Sequence, residues 1–76
     1  MTILEFEKLS YEEKLLAVVD NGIFIDNYVT KEIRLNCYSL SKFFVELIYD
    51  SEKNKVSGIR AFEDGEELNK YLNKLL

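Results

Sequence analysis

Residues 43–49, in the middle of the chain, most restrict how this sequence can fold. Six of these seven residues are apolar, and aromatic and β-branched types dominate. A polar segment at residues 50–55 follows, and a second extended segment occupies residues 56–62. This pattern is typical of a β-hairpin. Because residues 43–49 are apolar on both sides, we expect an interior strand with the rest of the chain packed around it.

A helix is predicted before the first strand. Ser10 and Glu13 have the spacing of a capping box, in which each side chain bonds a backbone N–H of the first turn. Apolar residues then recur at helical spacing up to residue 20. We expect Gly22 to end this helix in a left-handed conformation. For residues 1–9 we expect irregular structure or one helical turn.

Two more strands and a second helix complete the predicted order. Residues 23–29 and 33–40 have the composition of strands, and residues 64–76 are predicted to form an amphipathic helix that Asp64 and Glu67 can begin. The strand connections are short, and short connections join antiparallel neighbours. The 76 residues are therefore predicted to be one α+β domain, residues 1–76. We expect a four-stranded antiparallel meander sheet with the N- and C-terminal helices packed on one face.

The predicted turns also assign side chains to the two faces of the sheet. With regular pairing, one face contains Val45 and Leu47, and the other contains Glu46 at its centre. Burying a carboxylate without a partner costs on the order of several kcal/mol. We therefore expect both helices on the Val45 face and an open, apolar opposite face. Large exposed apolar areas usually mark contact sites. The predicted interaction surface consists of Phe24, Tyr28, Leu35, Phe44, Glu46, Ile48 and Ile59.

Few residues are candidates for chemistry. Glu46 could be a proton acceptor or a ligand contact in an apolar patch, or it could pair with an arginine or lysine; the second interpretation is favoured because no second catalytic group is identifiable. Cys37 is expected opposite Glu46, whose charge would raise its pKa, and it is interpreted as a small core residue. The chain has no histidine. We predict no catalytic, cofactor-binding or metal-binding residue and no enzymatic activity.

Charge and composition restrict the class of partner. The net charge is −4, and no basic stripe is present, so direct nucleic-acid binding is not expected. The chain lacks a long apolar run, so we expect no membrane span. A single cysteine and a start without a basic segment indicate a cytoplasmic protein.

Several segments resemble a group of short bacterial proteins without an assigned activity. They are Leu-Ser-Tyr-Glu-Glu-Lys, Asn-Gly-Ile-Phe, Tyr-Ser-Leu-Ser-Lys-Phe-Phe-Val-Glu-Leu-Ile-Tyr-Asp and Ile-Arg-Ala-Phe, which lie within residues 8–62. Members of that group commonly have a glycine in the turn where this chain has Ser41 and Lys42. The resemblance implies the same helix, four-strand and helix architecture, and it implies no activity.

Three functions are consistent with these observations. The leading hypothesis is a non-enzymatic protein-interaction or self-associating module, with a homodimer formed through the predicted open face. One alternative is a small-ligand-binding domain in which Glu46 and Phe44 line an apolar pocket between the sheet and residues 1–9. The other is an acidic regulator of a nucleic-acid-binding partner.

Overall fold

The chain forms three helices and one sheet in a computed structural model that describes residues 1–63 and 68–73. The sheet order is β1-β2-β3-β4, with antiparallel pairing throughout. The predicted α+β class and the meander are therefore confirmed. In chain order the elements are α1 (Ile3–Glu7), α2 (Tyr11–Asn21), β1 (Ile23–Val29), β2 (Ile33–Leu40), β3 (Phe43–Asp50), β4 (Lys55–Phe62) and α3 (Asn69–Asn73). The predicted start of the last helix at Asp64 and Glu67 lies outside the described residues.

Both N-terminal helices begin with a capping box. In α2 the Glu13 N–H donates to Ser10 Oγ over 3.2 Å, and the Ser10 N–H donates to Glu13 Oε1 over 2.9 Å, as predicted. The same exchange joins Thr2 and Glu5 at the start of α1. These bonds satisfy N–H groups that have no partner within the helix. Residues 1–9 therefore contain a short helix rather than irregular structure.

Gly22 does not have the left-handed conformation that we predicted. Its φ of −76° and ψ of 144° are extended, and any residue can adopt them. Its N–H donates to Val18 O over 2.8 Å, which brings the chain close to the helix end. A Cβ at Gly22 would lie 2.5 Å from Val18 O. This position therefore requires glycine because of a close backbone approach.

The two central strands pair in the predicted register. Leu40 is opposite Phe43 and Cys37 is opposite Glu46, so the two-residue turn at Ser41 and Lys42 is confirmed. Ser41 has a φ of 57°, the left-handed region that glycine favours. Asn54, in the turn between β3 and β4, also has a positive φ, 54°.

Each outer strand contains a register shift that regular pairing did not predict. In β1, Phe24 pairs with Tyr38 and Asp26 pairs with Cys37, so Ile25 is the extra residue of a bulge. The second shift lies between the pairs Tyr49–Val56 and Ile48–Gly58, which makes Ser57 the extra residue of β4. Beyond each bulge, side chains lie on the face opposite to the one predicted.

α1 and α2 cover one side of the sheet, which we call the α2 face. Its buried cluster joins Phe6 and Val18 from the helices to residues of β2 and β3, and the rings of Phe6 and Phe43 are 5.5 Å apart. Tyr11 Oη at the start of α2 donates to Val56 O in β4 over 3.0 Å. The sheet residues of this face with side chains in the core are Tyr38, Leu40, Phe43, Val45, Leu47, Ile59 and Ala61.

α3 lies on the other side of the sheet, which we call the α3 face. Tyr71 packs there with Cys37 and Phe62. The prediction that the N- and C-terminal helices share one face is therefore wrong. It assumed that Glu46 would have no partner, and the side chains of α3 provide that partner. The sheet residues of the α3 face that pack under the helix are Tyr28, Cys37, Phe44, Glu46 and Phe62.

Candidate functional site

Glu46 is the buried charged residue at the centre of the α3 face. Only 1% of its surface is exposed. It lies in the middle of β3, with Cys37 opposite on β2 and Arg60 opposite on β4. The bulge at Ser57 shifts the register of β4 so that Arg60 is opposite Glu46. Without that extra residue, Arg60 would be on the α2 face.

Three donors from two elements bind the Glu46 carboxylate. Tyr71 Oη donates to Glu46 Oε2 over 2.7 Å, and Arg60 Nη1 donates to Glu46 Oε1 over 3.1 Å. Lys70 Nζ forms an ion pair with Oε2. Charge-assisted bonds of this kind are among the strongest in proteins. The interpretation of Glu46 as an ion-paired residue is therefore confirmed, and its partners are Arg60 and Lys70.

The surroundings of Glu46 keep its carboxylate ionised. Burial alone would raise the pKa of Glu46, but the hydrogen bonds from Lys70 and Tyr71 and the charges of Lys70 and Arg60 outweigh it and lower the pKa. A carboxylate with a lowered pKa that is bound by three donors is a weak proton acceptor at neutral pH. This geometry therefore favours a structural role for Glu46, in which its carboxylate holds α3 on the sheet, over a role as a general base.

The two acidic groups beside Glu46 retain their protons. Burial, followed by the charge of Glu46, raises the pKa of Cys37 to about 11, in the predicted direction. Burial and the bond to the Glu46 carboxylate also raise the pKa of Tyr71. A nucleophilic cysteine needs a lowered pKa and access to solvent, whereas Cys37 is fully buried. Among the described residues, no three His, Cys, Asp or Glu side chains lie together as metal ligands.

The seven residues of the predicted interaction surface do not form one open face. Phe24 and Ile59 lie on the α2 face because of the two bulges, and Ile59 packs against its core. Glu46 is buried. The other four are half-buried on the α3 face: Tyr28, Leu35, Phe44 and Ile48. Tyr28 and Phe44 pack against the cluster that contains Tyr71. Helix α3 therefore occupies part of the surface that we predicted to be open.

The predicted ligand pocket between the sheet and residues 1–9 is also absent from the described part of the chain. Helix α1 packs on the α2 face, whereas Glu46 and Phe44 lie on the α3 face. A groove of about 500 Å³ does lie beside α1. Its lining residues are Met1, Thr2, Ile3, Leu4, Ser41, Lys42, Phe43 and Glu63.

The structure exposes a group of apolar side chains on β1, of which Phe24 alone belongs to the predicted interaction surface. Ile23, Phe24, Ile25 and Val29 are between 42% and 70% exposed. β1 has β2 as its single strand neighbour among the described residues. We call the side of β1 that faces away from β2 the outer edge of β1, residues 23–29. The first strand of a meander lies at an edge, so the predicted topology already contained a signal for this surface.

The outer edges of β1 and β4 differ in charge. β1 has the sequence Ile-Phe-Ile-Asp-Asn-Tyr-Val, with one charged residue, whereas β4 contains Lys55 and Arg60. Natural proteins protect exposed sheet edges against pairing with charged side chains, especially lysine. β4 has that protection, and β1 has no lysine, arginine or proline.

Comparisons with protein-family models, curated proteins and solved structures find no match to this chain. Within the residues that the structure describes, none of the helices has both the length and the apolar character required to cross a bilayer.

Proposed function

We propose that this chain is a non-enzymatic protein-interaction module that binds an extended segment of its partner along the outer edge of β1. The observation that supports this function is the exposure of Ile23, Phe24, Ile25 and Val29 on one edge strand. A strand added to an edge gains main-chain hydrogen bonds, and pockets for alternate side chains provide selectivity.

The closure of the α3 face supports this choice of surface. Tyr71 and Lys70 bind Glu46 at the centre of that face, so a partner would have to displace α3 to reach Cys37 beneath it. The apolar side chains of Ile23, Phe24 and Val29 on β1 are already exposed and need no such displacement. A surface that binds without rearrangement avoids the conformational cost of opening.

We place the module in a reducing compartment, the cytoplasm. Its single cysteine is a fully buried free thiol, which has no role in a disulfide framework.

Selection from a phage-displayed peptide library tests the proposed function. Val29→Lys puts a charge on the outer edge of β1, where lysine disfavours strand addition. Leu4→Lys is the matched control, because Leu4 is also an exposed apolar residue and lies on α1. Wild type and Leu4→Lys are expected to select extended apolar peptides, and Val29→Lys is expected to lose them.

Two outcomes would count against the proposal. One is that wild type enriches no peptide. The other is that Val29→Lys retains the peptides that wild type selects. Circular dichroism of each variant establishes that the substitutions leave the fold intact.

A further inference from the structure

We infer that the groove beside α1 binds a free apolar α-amino acid such as leucine. The groove has a volume of about 500 Å³, which is within the range of roughly 300–1,000 Å³ that is typical of small-ligand sites. Lys42 and Glu63 provide opposite charges in its lining. Met1, Ile3 and Leu4 provide apolar side chains. This inference goes beyond the proposed function, because the groove is a different surface from the outer edge of β1.

The walls of the groove are already ordered by the fold. Phe43 belongs to the lining and is also a core residue, with 2% of its surface exposed. Another part of the lining comes from α1, which begins with the capping box of Thr2 and Glu5. The ring of Phe6 in α1 packs 5.5 Å from the ring of Phe43. A site with ordered walls avoids the entropic cost of arranging them when the ligand binds.

The strand register brings the two charges to the same border of the sheet. Lys42 directly precedes Phe43 at the start of β3, and Glu63 directly follows Phe62 at the end of β4. These strands are antiparallel, and Phe44 is opposite Phe62. Both charged side chains are exposed. The ammonium and carboxylate groups of an amino acid are bonded to the same carbon, so they match two opposite charges that lie near each other.

The apolar part of the lining restricts the ligand class further. Leu4 is 71% exposed and Met1 is 52% exposed. Covering such surface with an aliphatic side chain is favourable in proportion to the area removed from water. An aliphatic acid would provide the same chain, but its carboxylate would lie beside Glu63 without an ammonium group to compensate. An aliphatic amine would meet the same repulsion at Lys42, and like charges at a binding site disfavour binding.

A titration of isotope-labelled protein with three ligands, followed by its amide signals in NMR spectra, tests the inference. The ligands are leucine, isocaproate, which lacks the ammonium group, and isoamylamine, which lacks the carboxylate. For a ligand of this size in an open groove we expect a Kd on the order of 1–10 mM. Leucine should shift the amide signals of Leu4, Ser41 and Lys42. It should bind about two- to fivefold more tightly than either analogue, which is the effect of an exposed ion pair.

Two charge variants with matched controls assign this preference to the two side chains. In Glu63→Gln the preference for leucine over isocaproate should disappear, and in Lys42→Gln the preference for leucine over isoamylamine should disappear. Glu52→Gln and Lys53→Gln carry the same changes in the turn between β3 and β4, at the other end of these strands, and should retain both preferences. All four positions are exposed, so the substitutions leave the core intact.

Three results would overturn the inference. The first is that leucine, at about ten times the expected Kd, shifts no amide of the groove or shifts only amides elsewhere. The second is that wild type binds leucine and both analogues equally well. The third is that the two charge variants keep the wild-type preferences. A peptide displayed on phage has no free ammonium and carboxylate on one carbon, so leucine binding and peptide selection at β1 can fail independently.

Discussion

Tyr71 on α3 donates its hydroxyl hydrogen to the carboxylate of Glu46 in the middle of β3, and the two oxygens are 2.7 Å apart. This bond joins the last described helix to the central part of the sheet, 25 residues earlier in the chain. Together with Lys70 and Arg60, it allows a charged residue to be buried in an apolar layer. It also closes the α3 face over Cys37.

Removing the charge of Glu46 should destabilise the fold. In Glu46→Gln, Lys70 and Arg60 lose their ion pairs with this carboxylate, although both can turn towards water because their side chains are 29% and 44% exposed. Removing one partner of a fully buried pair costs roughly 3–5 kcal/mol. For these half-exposed cations we expect a loss of about 1–3 kcal/mol in the free energy of unfolding, measured by urea denaturation at neutral pH.

Two comparisons make that result specific to the buried carboxylate. Glu52→Gln in an exposed turn should change stability by less than about 0.5 kcal/mol. The lowered pKa of Glu46 means that its contribution is fully present above the ordinary value of 4.5 and is lost as the pH falls through the folded-state pKa. The difference between wild type and Glu46→Gln should therefore shrink in acid. A difference that stays constant down to acid pH would contradict the ionic role.

Stability should also fall at alkaline pH because of Cys37. Its pKa is raised from 9.0 to about 11, so the unfolded chain loses this proton first as the pH rises between those values. The contribution is present below pH 9.0 and is lost up to about pH 11, a total on the order of 2–3 kcal/mol. Urea denaturation from pH 8 to pH 11 measures the slope. Cys37→Ala should be less stable at pH 8 but show a shallower alkaline loss, and an unchanged slope would contradict this assignment.

Gly22→Ala should destabilise the chain more than Gly58→Ala does. The added Cβ at Gly22 meets the backbone oxygen of Val18 at 2.5 Å, and a backbone atom cannot move away without disturbing the end of α2. The added Cβ at Gly58 meets the flexible end of the Ile48 side chain at 3.3 Å. We expect a loss of about 1–3 kcal/mol at Gly22 and a change within about 0.5 kcal/mol at Gly58. Equal thermal shifts for the two variants would show that the close approach at Gly22 is unimportant.

Ser41→Gly should stabilise the protein slightly. Ser41 has a φ of 57°, which costs a residue with a Cβ roughly 1–2 kcal/mol. Glycine removes that cost but gains about 0.5–1 kcal/mol of conformational entropy in the unfolded chain. The expected net gain is about 0.5 kcal/mol by denaturant unfolding. Lys42→Gly at the next position is the control and should destabilise, since Lys42 has no positive φ to relieve.

The strands, the two-residue turn and the central register follow from local sequence signals. β2 and β3 are regular, so alternation and one turn determine all their pairs, including Cys37 opposite Glu46. The bulge at Ser57 has one local signal, the neighbouring Gly58, because an isolated glycine within a strand often marks a bulge. The bulge at Ile25 has no such signal in residues 23–29.

The sequence analysis excluded Glu46 from the core, and this assumption led to the wrong face of the sheet for α3. Whether a buried carboxylate is tolerated depends on donors that come from elsewhere in the fold, here Tyr71 and Lys70 from α3 and Arg60 from β4. None of these residues is close to Glu46 in sequence. The bulge at Ser57 also determines which face Arg60 reaches. One unpredicted extra residue therefore gave Glu46 one of its three partners, and α3 provides the other two.

Labelling of the Cys37 thiol in the native protein tests most directly the claim that α3 closes its face of the sheet. Cys37 is fully buried in a cluster with Tyr71. An aromatic disulfide reagent at pH 8 should label the native wild type at least about a hundredfold more slowly than the urea-unfolded chain, and Tyr71→Phe should be labelled faster than wild type. Labelling of native wild type at the rate of the unfolded chain would contradict the account, because α3 would then not cover Cys37.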